Sequence, residues 1–389
     1  MIRYCLLQKG NSVNLNIFSE HFSSIEDTRQ SAKITYPLFD VLFLTLCAVI
    51  SGCQGWEDIE DFGEAKLQWL QKLGFFAEGV PVHDTIARII ARIEPTQLQR
   101  CFAQWMQAVA VLTDGQVVAI DGKTLCSSYN RTSRRSAIHM VSAFASANGV
   151  VLGQVKTEEK SNEITAIPEL LDLLELKGCL VSIDAMGCQK DIAQKIVVDK
   201  GADYLLAVKA NQEKLHDAVQ SIFTQHLLTQ PESQGSIEQS RGRIEYREYH
   251  VLDSSLLPEH LSSQWCGIKT VGLAISYRMV KQKKSELEYR YFISSAELTA
   301  VRLASAVREH WGIENQLHWV LDVSMDEDNC QIYRGHAATN LASLRHMALN
   351  MLRAETSKAL SVPRKQLRAL LHEDYLEKIL MTYFGANKI

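Results

Sequence analysis

Two short stretches constrain this chain more than any other. Each is an apolar run that stops on an aspartate. Val117-Val118-Ala119-Ile120 leads into Asp121-Gly122-Lys123-Thr124, and Leu180-Val181-Ser182-Ile183 leads into Asp184-Ala185-Met186-Gly187. Short apolar runs rich in β-branched residues read as buried strands. Aspartate is a poor strand residue, so each strand end needs a reason. Asp-Gly alone is a common turn pair. The alternative is a carboxylate held at a strand end to bind a metal ion. The repetition suggests two such carboxylates side by side at one edge of a sheet.

At 389 residues the chain has room for two or three domains. Apolar residues make up 46% and charged residues 22%, an ordinary globular balance. The net charge of −4 does not announce a nucleic-acid binder. Such a partner has to be met by local basic clusters. The nine cysteines are scattered, several inside apolar runs, and none forms a Cys-x-x-Cys pair. That pattern fits reduced thiols in a cytoplasmic protein better than disulfides or zinc. The most apolar window, Leu38 to Ile50, contains Asp40 and is too short to span a bilayer, so it reads as a buried helix. No signal peptide is visible and no membrane partner is expected.

Residues 1–30 carry little pattern beyond a possible short helix opening at Ser23 to Asp27. Residues 31–112 read as a helical accessory domain, with helices over Trp56 to Leu73 and Leu98 to Leu112. A third helix is capped by His83-Asp84-Thr85. Residues 113–210 alternate. The first Asp strand is followed by two strand-like runs joined at Ala147-Asn148-Gly149, a hairpin signal. A helix from Glu163, the second Asp strand, a helix over Gln189 to Lys200 and a strand from Asp203 to Lys209 complete the series. This is the element order of an RNase H-like core, three antiparallel strands and then two parallel ones reached by helical crossovers. A Rossmann sheet would need Gly-x-Gly-x-x-Gly after a strand, and none is present. Residues 211–295 read as a mostly β insertion with a polar loop over 229–240. Residues 296–355 complete the core and residues 356–389 form a C-terminal helical segment. The expected class is α/β, an RNase H-like mixed-sheet core with a mostly β insertion and an N-terminal helical domain.

Lys123 and the loop bearing Arg131, Arg134 and Arg135 form the most basic stretch of the first half, either a solvated face or a phosphate-binding rim. Lys209 ends the last core strand and is a further candidate for DNA contact. Arg241, Arg243 and Arg247 lie at odd positions of one strand, so they share a face, either solvated or lined up along phosphates. The helix over Glu297 to Val323 carries an apolar stripe of Leu303, Val307, Trp311, Leu317 and Leu321, with Glu314 on it. A buried carboxylate is costly unless paired or metal-bound. His310 and His318 flank Glu314 at i−4 and i+4, as a zinc site or a hydrogen-bonded trio.

Taken together, Asp121-Gly122-Lys123, Ser182-Ile183-Asp184-Ala185-Met186, Arg241-Gly242-Arg243-Ile244-Glu245, His310-Trp311-Gly312-Ile313-Glu314-Asn315 and Leu317-His318-Trp319 resemble the H-repeat-associated transposases of bacterial insertion sequences. Trp56-Glu57-Asp58-Ile59-Glu60-Asp61-Phe62-Gly63 and Pro81-Val82-His83-Asp84-Thr85 are similar to that family's accessory domain. The likeness runs from about Phe22 to Arg353. It implies a DDE transposase whose three acidic residues are Asp121, Asp184 and Glu314, acting on double-stranded DNA at terminal repeats and target. It implies a homodimer on DNA in a bacterial cytoplasm, associated with the nucleoid when bound. Hard carboxylate oxygens suit Mg²⁺ or Mn²⁺, and two such ions are expected. His310, Trp311 and His318 join the expected DNA contacts. The broader group's Tyr, Arg and Lys around the glutamate are here Val307, His310 and Leu321. A relic that only binds DNA or protein, and a metal-dependent nuclease without strand transfer, are the alternatives.

Overall fold

The computed structural model describes residues 15–125, 137–157, 163–227, 233–240, 243–280, 283–284 and 287–384. The amino-terminal part is helical, as its 3.6-residue periodicity requires. Its helices are α1 (Asn16–Phe22), α2 (Leu38–Ile50), α3 (Trp56–Ala65), α4 (Leu67–Lys72), α5 (His83–Ile90) and α6 (Pro95–Val109). The stretch Ser23 to Asp27 follows α1 rather than opening a helix. The cap of α5 comes from another helix: Glu60 Oε2 accepts the His83 backbone N–H at 2.8 Å. That satisfies a donor which no side chain within α5 caps.

The strands follow in the expected order: β1 (Val117–Leu125), β2 (Ile138–Ala145) and β3 (Val150–Lys156). Both pairings in this group are antiparallel. Helix α7 (Glu163–Asp172) crosses to β4 (Leu180–Ile183), which pairs parallel to β1. Helix α8 (Lys190–Gln194) and a π-helical turn, Lys195–Asp199, cross to β5 (Asp203–Val208), parallel to β4. Three antiparallel strands with two parallel ones on the inner flank are the RNase H-like arrangement. Asp121-Gly122 is no turn: β1 runs straight through it to Leu125.

After α9 (Glu213–His226) come β6 (Ser233–Ser240), β7 (Arg243–Asp253), a short α10 (Glu259–Ser262), β8 (Thr270–Val280), β9 (Lys283–Lys284) and β10 (Glu288–Ser294). They extend the core sheet rather than standing apart from it. The order is β3-β2-β1-β4-β5-β10-β8-β7-β6, with β9 paired to β8, making ten strands. β6 occupies the expected polar loop. Its sequence, Ser-Gln-Gly-Ser-Ile-Glu-Gln-Ser, has little β propensity, and it is a strand because it pairs with β7 along its whole length.

The last helices are α11 (Ala300–His310), α12 (Trp319–Met325), α13 (Ala337–Ala354), α14 (Val362–Leu371) and α15 (Glu373–Phe384). A π-helical turn, Ile313–His318, joins α11 to α12. Every residue of α13 from Ala337 to Leu352 is buried, which makes it the axis on which both helical regions meet. One apolar core runs from Phe18 on α1 through α2 and α13 to Phe384 on α15. It also takes in Ala119, Phe144 and Val151 from the sheet. The second core, on the other face of β1, joins Val118 and Ile120 to Ala166, Ile167 and Leu170 of α7. At the sheet edge, Asn350 substitutes for a missing strand. Its Oδ1 accepts the Val151 N–H at 2.9 Å and its Nδ2 donates to the Val151 carbonyl at 2.8 Å. The edge of β3 is thereby occupied at Val151. Among the described residues no helix is long and apolar enough to cross a membrane.

Candidate active site

The parallel register of β1 and β4 ends with Ile120 opposite Ile183. Asp121 and Asp184 are the next residues on their strands, so the two carboxylates leave the sheet as neighbours. Asp184 Oδ1 accepts the backbone N–H groups of Met186 at 2.9 Å and Gly187 at 3.4 Å, which turns the chain sharply off β4. Burial is the first cause that pushes the Asp121 carboxyl up, to about 7. A hydrogen bond from the Gly122 backbone opposes it, and the charges of Glu163, Asp184 and Glu314 add to it.

Glu314 reaches this group differently from the apolar-stripe expectation. It is exposed, while Ile313, Leu317 and Leu321 are buried in the helical core. The extra residue of the π-helical turn rephases the helix and swings Glu314 off the stripe toward Asp121. Gly312 permits the approach, because a Cβ there would press on Ser146 Oγ at 3.0 Å. The His310–Glu314–His318 trio does not form. His310 hydrogen-bonds the Ser182 backbone, and burial lowers its pKa. His318 is 9% exposed, with Nδ1 3.7 Å from Asp121 Oδ2 and no partner at Nε2 among the described residues. Burial first, then the neighbouring His346 and Lys123, push His318 down to about 3, so its imidazole is neutral. Both rings are packed beneath the site instead of facing a DNA surface.

Lys123 is also diverted from the phosphate-binding role expected of it. Its side chain is 11% exposed. The ammonium pairs with Asp322, with Glu327 Oε2 at 2.7 Å and with Asp328 Oδ1 at 3.6 Å. Burial works against this charge, but Glu327 and Asp322 outweigh it and raise the Lys123 pKa. Glu327, the partner of Lys123 beyond α12, is fully buried. Lys123 thus offsets the charges of Asp322, Glu327 and Asp328, whereas among the described residues Glu314 has no ion pair.

Glu163, at the start of α7, gives no signal in the sequence beyond an acidic first turn. Its Oε1 lies 2.8 Å from His139 Nε2, and His139 Nδ1 lies 2.9 Å from Thr124 Oγ1. The pair rests on Gly122, where any Cβ would collide with both Glu163 Oε1 and His139 Nε2. That is the physical reason for glycine after Asp121.

Glu314 opens onto a cleft of about 680 Å³ whose far wall is built by β7, β8 and β10. Arg243 and Arg247 lie on one face of β7, and both pair with Glu245 between them. Arg278 Nε reaches Glu245 at 2.9 Å, and Glu238 takes Arg247 at 3.1 Å and Arg308 at 2.6 Å. Trp311 lines the cleft with Arg290 stacked 4.5 Å over its ring. Lys209 is exposed just beyond β5, at the sheet end that bears Asp184. Arg131, Arg134, Arg135 and Arg241 lie outside the described residues. Among the described residues no group of three or more His, Cys, Asp or Glu side chains stands close enough together to hold a metal ion. The donors are hard oxygens around an acidic pocket, which suits a divalent cation.

Comparison with known proteins identifies the family. The model described as Transposase DDE domain matches residues 106–351, and one described as DDE_Tnp_1-associated matches residues 19–106. The chain is 47% identical over 376 residues to "H repeat-associated putative transposase YhhI" of Escherichia coli (strain K12), covering 95% of this chain and 98% of that one. It is 49% identical over 367 residues to "Putative transposase YncI" of Escherichia coli O157:H7, covering 93% of each. Among solved structures, a piggyBac transposase synaptic complex with hairpin DNA superposes with a TM-score of 0.42 at 12% identity, covering 94% of this chain and 77% of that one. With the matched model spanning the whole sheet and the glutamate helix, the chain belongs to the DDE-domain transposase family.

Proposed function

We propose that this protein cleaves the ends of an insertion sequence and joins the 3′ ends to target DNA, using divalent cations at Asp121, Asp184 and Glu314. One observation carries the reading: the β1–β4 register that sets Asp121 beside Asp184, where the charge of Glu314 also acts. Bound Mg²⁺ or Mn²⁺ would acidify the attacking hydroxyl and stabilise the leaving oxygen. The three carboxylates would hold the cations where β4 ends beside β1. His318, neutral and packed against Asp121, fixes that carboxylate's orientation without adding a competing positive charge. The cleft beside Glu314 takes the DNA backbone. Arg243 and Arg308, 46% and 52% exposed, contact phosphates there. A homodimer on DNA brings two element ends together.

The test is a cleavage assay on DNA carrying the element's end, with Mg²⁺ or Mn²⁺. Asp121→Asn, Asp184→Asn and Glu314→Gln each abolish cleavage while leaving DNA binding in place. A variant that cuts at the parent rate removes its residue from the site. Pre-cut ends mixed with target DNA separate a transposase, which joins them, from a nuclease, which does not.

A further inference from the structure

The proposed DNA contacts on the cleft wall leave Glu245 unexplained. Residues at every second position of β7 share one face of the sheet. On that face Tyr249 and Val251 are buried against Leu303 and Val307 of α11. Arg243, Glu245 and Arg247 continue it into the cleft that also exposes Glu314. Glu245 has only 8% of its side chain exposed, on a wall where the lining arginines outnumber the lining glutamates five to three.

Its partners are three guanidiniums. Arg243 and Arg278 meet Oε1, the latter through Nε at 2.9 Å, and Arg247 meets Oε2. The β7–β8 register sets Arg278 directly opposite Glu245, so the arginines surround it both along and across the sheet. An opposite-charge pair across two strands is the plain structural reading, and one arginine satisfies it. Three arginines do not follow from it. A guanidinium carries five donors in a fixed plane. A contact to Glu245 sets that plane without exhausting the donors. Arg243 and Arg278 keep 46% and 57% of their side chains exposed, and both line the cleft.

We propose that Glu245 is a positioning residue, which holds Arg243, Arg247 and Arg278 as one preorganised clamp for the phosphodiesters of a DNA strand passing Glu314. The carboxylate itself touches no DNA. It removes in advance the rotamer freedom that three long side chains would otherwise lose on binding. The inference rests on the reading of this cleft as the DNA path.

Equilibrium binding of the full chain to a duplex oligonucleotide in EDTA tests it without any readout of cleavage. Where charge alone counts, removing a negative charge from a DNA-binding wall raises affinity. Glu245→Gln does the opposite under the proposal. Its amide offers one acceptor oxygen and turns an NH₂ group on the arginines, so the clamp opens. Affinity falls about fivefold or more, and the salt slope flattens. Unchanged or tighter binding by a Glu245→Gln protein that melts with the parent overturns the proposal. Should that variant melt early, Arg278→Lys decides, because it keeps the charge at a half-exposed position. Lysine cannot reproduce the guanidinium fork, so binding weakened about threefold or more supports the clamp and parent-like binding overturns it. The reference is the double variant Arg243→Ala with Arg308→Ala. If it weakens binding while Glu245→Gln and Arg278→Lys do not, the clamp falls and the cleft remains the DNA path. If it too binds like the parent, the reading of the cleft falls with the clamp.

Discussion

Asp121→Asn should stabilise the metal-free protein, and the size of the effect follows from the surroundings of one carboxyl. Burial and the charges of Glu163, Asp184 and Glu314, against a hydrogen bond from Gly122, move Asp121 from an ordinary 3.8 to about 7. The folded state therefore keeps a proton between pH 4 and pH 7 that the unfolded chain has released. Stability then falls as pH rises through that window, and this group causes no further loss above it. A shift of about 3 units at 1.36 kcal/mol each amounts to about 4 kcal/mol. Asparagine has no proton to lose, so the variant lacks this slope. Urea unfolding in EDTA at pH 4 to 8 reads the difference. Parent and variant should agree near pH 4, and the variant should be the more stable at pH 8. Adding Mn²⁺ at pH 8 should raise the parent by mass action and leave the variant unmoved. Parallel curves across the window would refute both the burial of Asp121 and the action of its acidic neighbours on it.

Four further changes have defined outcomes. Lys123→Met strands Asp322, Asp328 and the buried Glu327 and should cost about 3–5 kcal/mol in thermal unfolding, whereas a loss below about 1 kcal/mol would deny the cluster its role. Gly122→Ala drives a Cβ into Glu163 and His139 and should cost about 1–3 kcal/mol in thermal unfolding; an unperturbed variant would mean the pair does not rest on the strand. Replacing Arg243 and Arg308 with Ala should lower affinity for any DNA sequence and flatten the salt slope by about 0.9 per lost phosphate contact, so an unchanged slope would return the cleft wall to plain surface. His318, at about 3, is neutral across the working range, so His318→Gln should leave the pH profile of cleavage between pH 6 and 8 unaltered; a lost limb in that profile would make it a proton carrier.

How much of this was legible in the sequence differs from residue to residue. Asp121 and Asp184 stood out because each closes an apolar run, although only β4 ends there while β1 continues to Leu125, and parallel pairing sets the two side by side. Glu314 was legible through family resemblance, but the stripe argument behind it fails. Helical periodicity cannot register a π-helical turn, and that one residue decides which way the side chain faces. Lys123 looked like a phosphate contact because it stands beside Asp121 and a basic loop, and the acidic partners that occupy it lie about 200 residues on in the chain. The strand β6 was invisible because its order comes from β7 and not from its own residues. Glu163 was indistinguishable from any acidic residue at a helix start. The one trace it leaves is the glycine after Asp121, which a turn explains equally well until β1 is seen to run through it.

The same displacements explain how the glutamate is kept in place. Asp121 and Lys123 are two residues apart on β1, so they face the same side of the sheet. Glu314 lies at the start of the π-helical turn and Asp322 lies within α12, farther along the same helical rod. The Lys123–Asp322 and Lys123–Glu327 pairs therefore pin the far end of that rod to the strand that carries Asp121. Ile313, Leu317 and Leu321, buried on the core side, fix its roll. Two constraints, one ionic and one apolar, act on either side of a residue that has neither for itself. Among the described residues Glu314 is exposed with no ion pair of its own, and the rod that carries it is held at its far end and along its flank. Lys123 in this way serves the site by holding the helix in register, which a phosphate contact could not do.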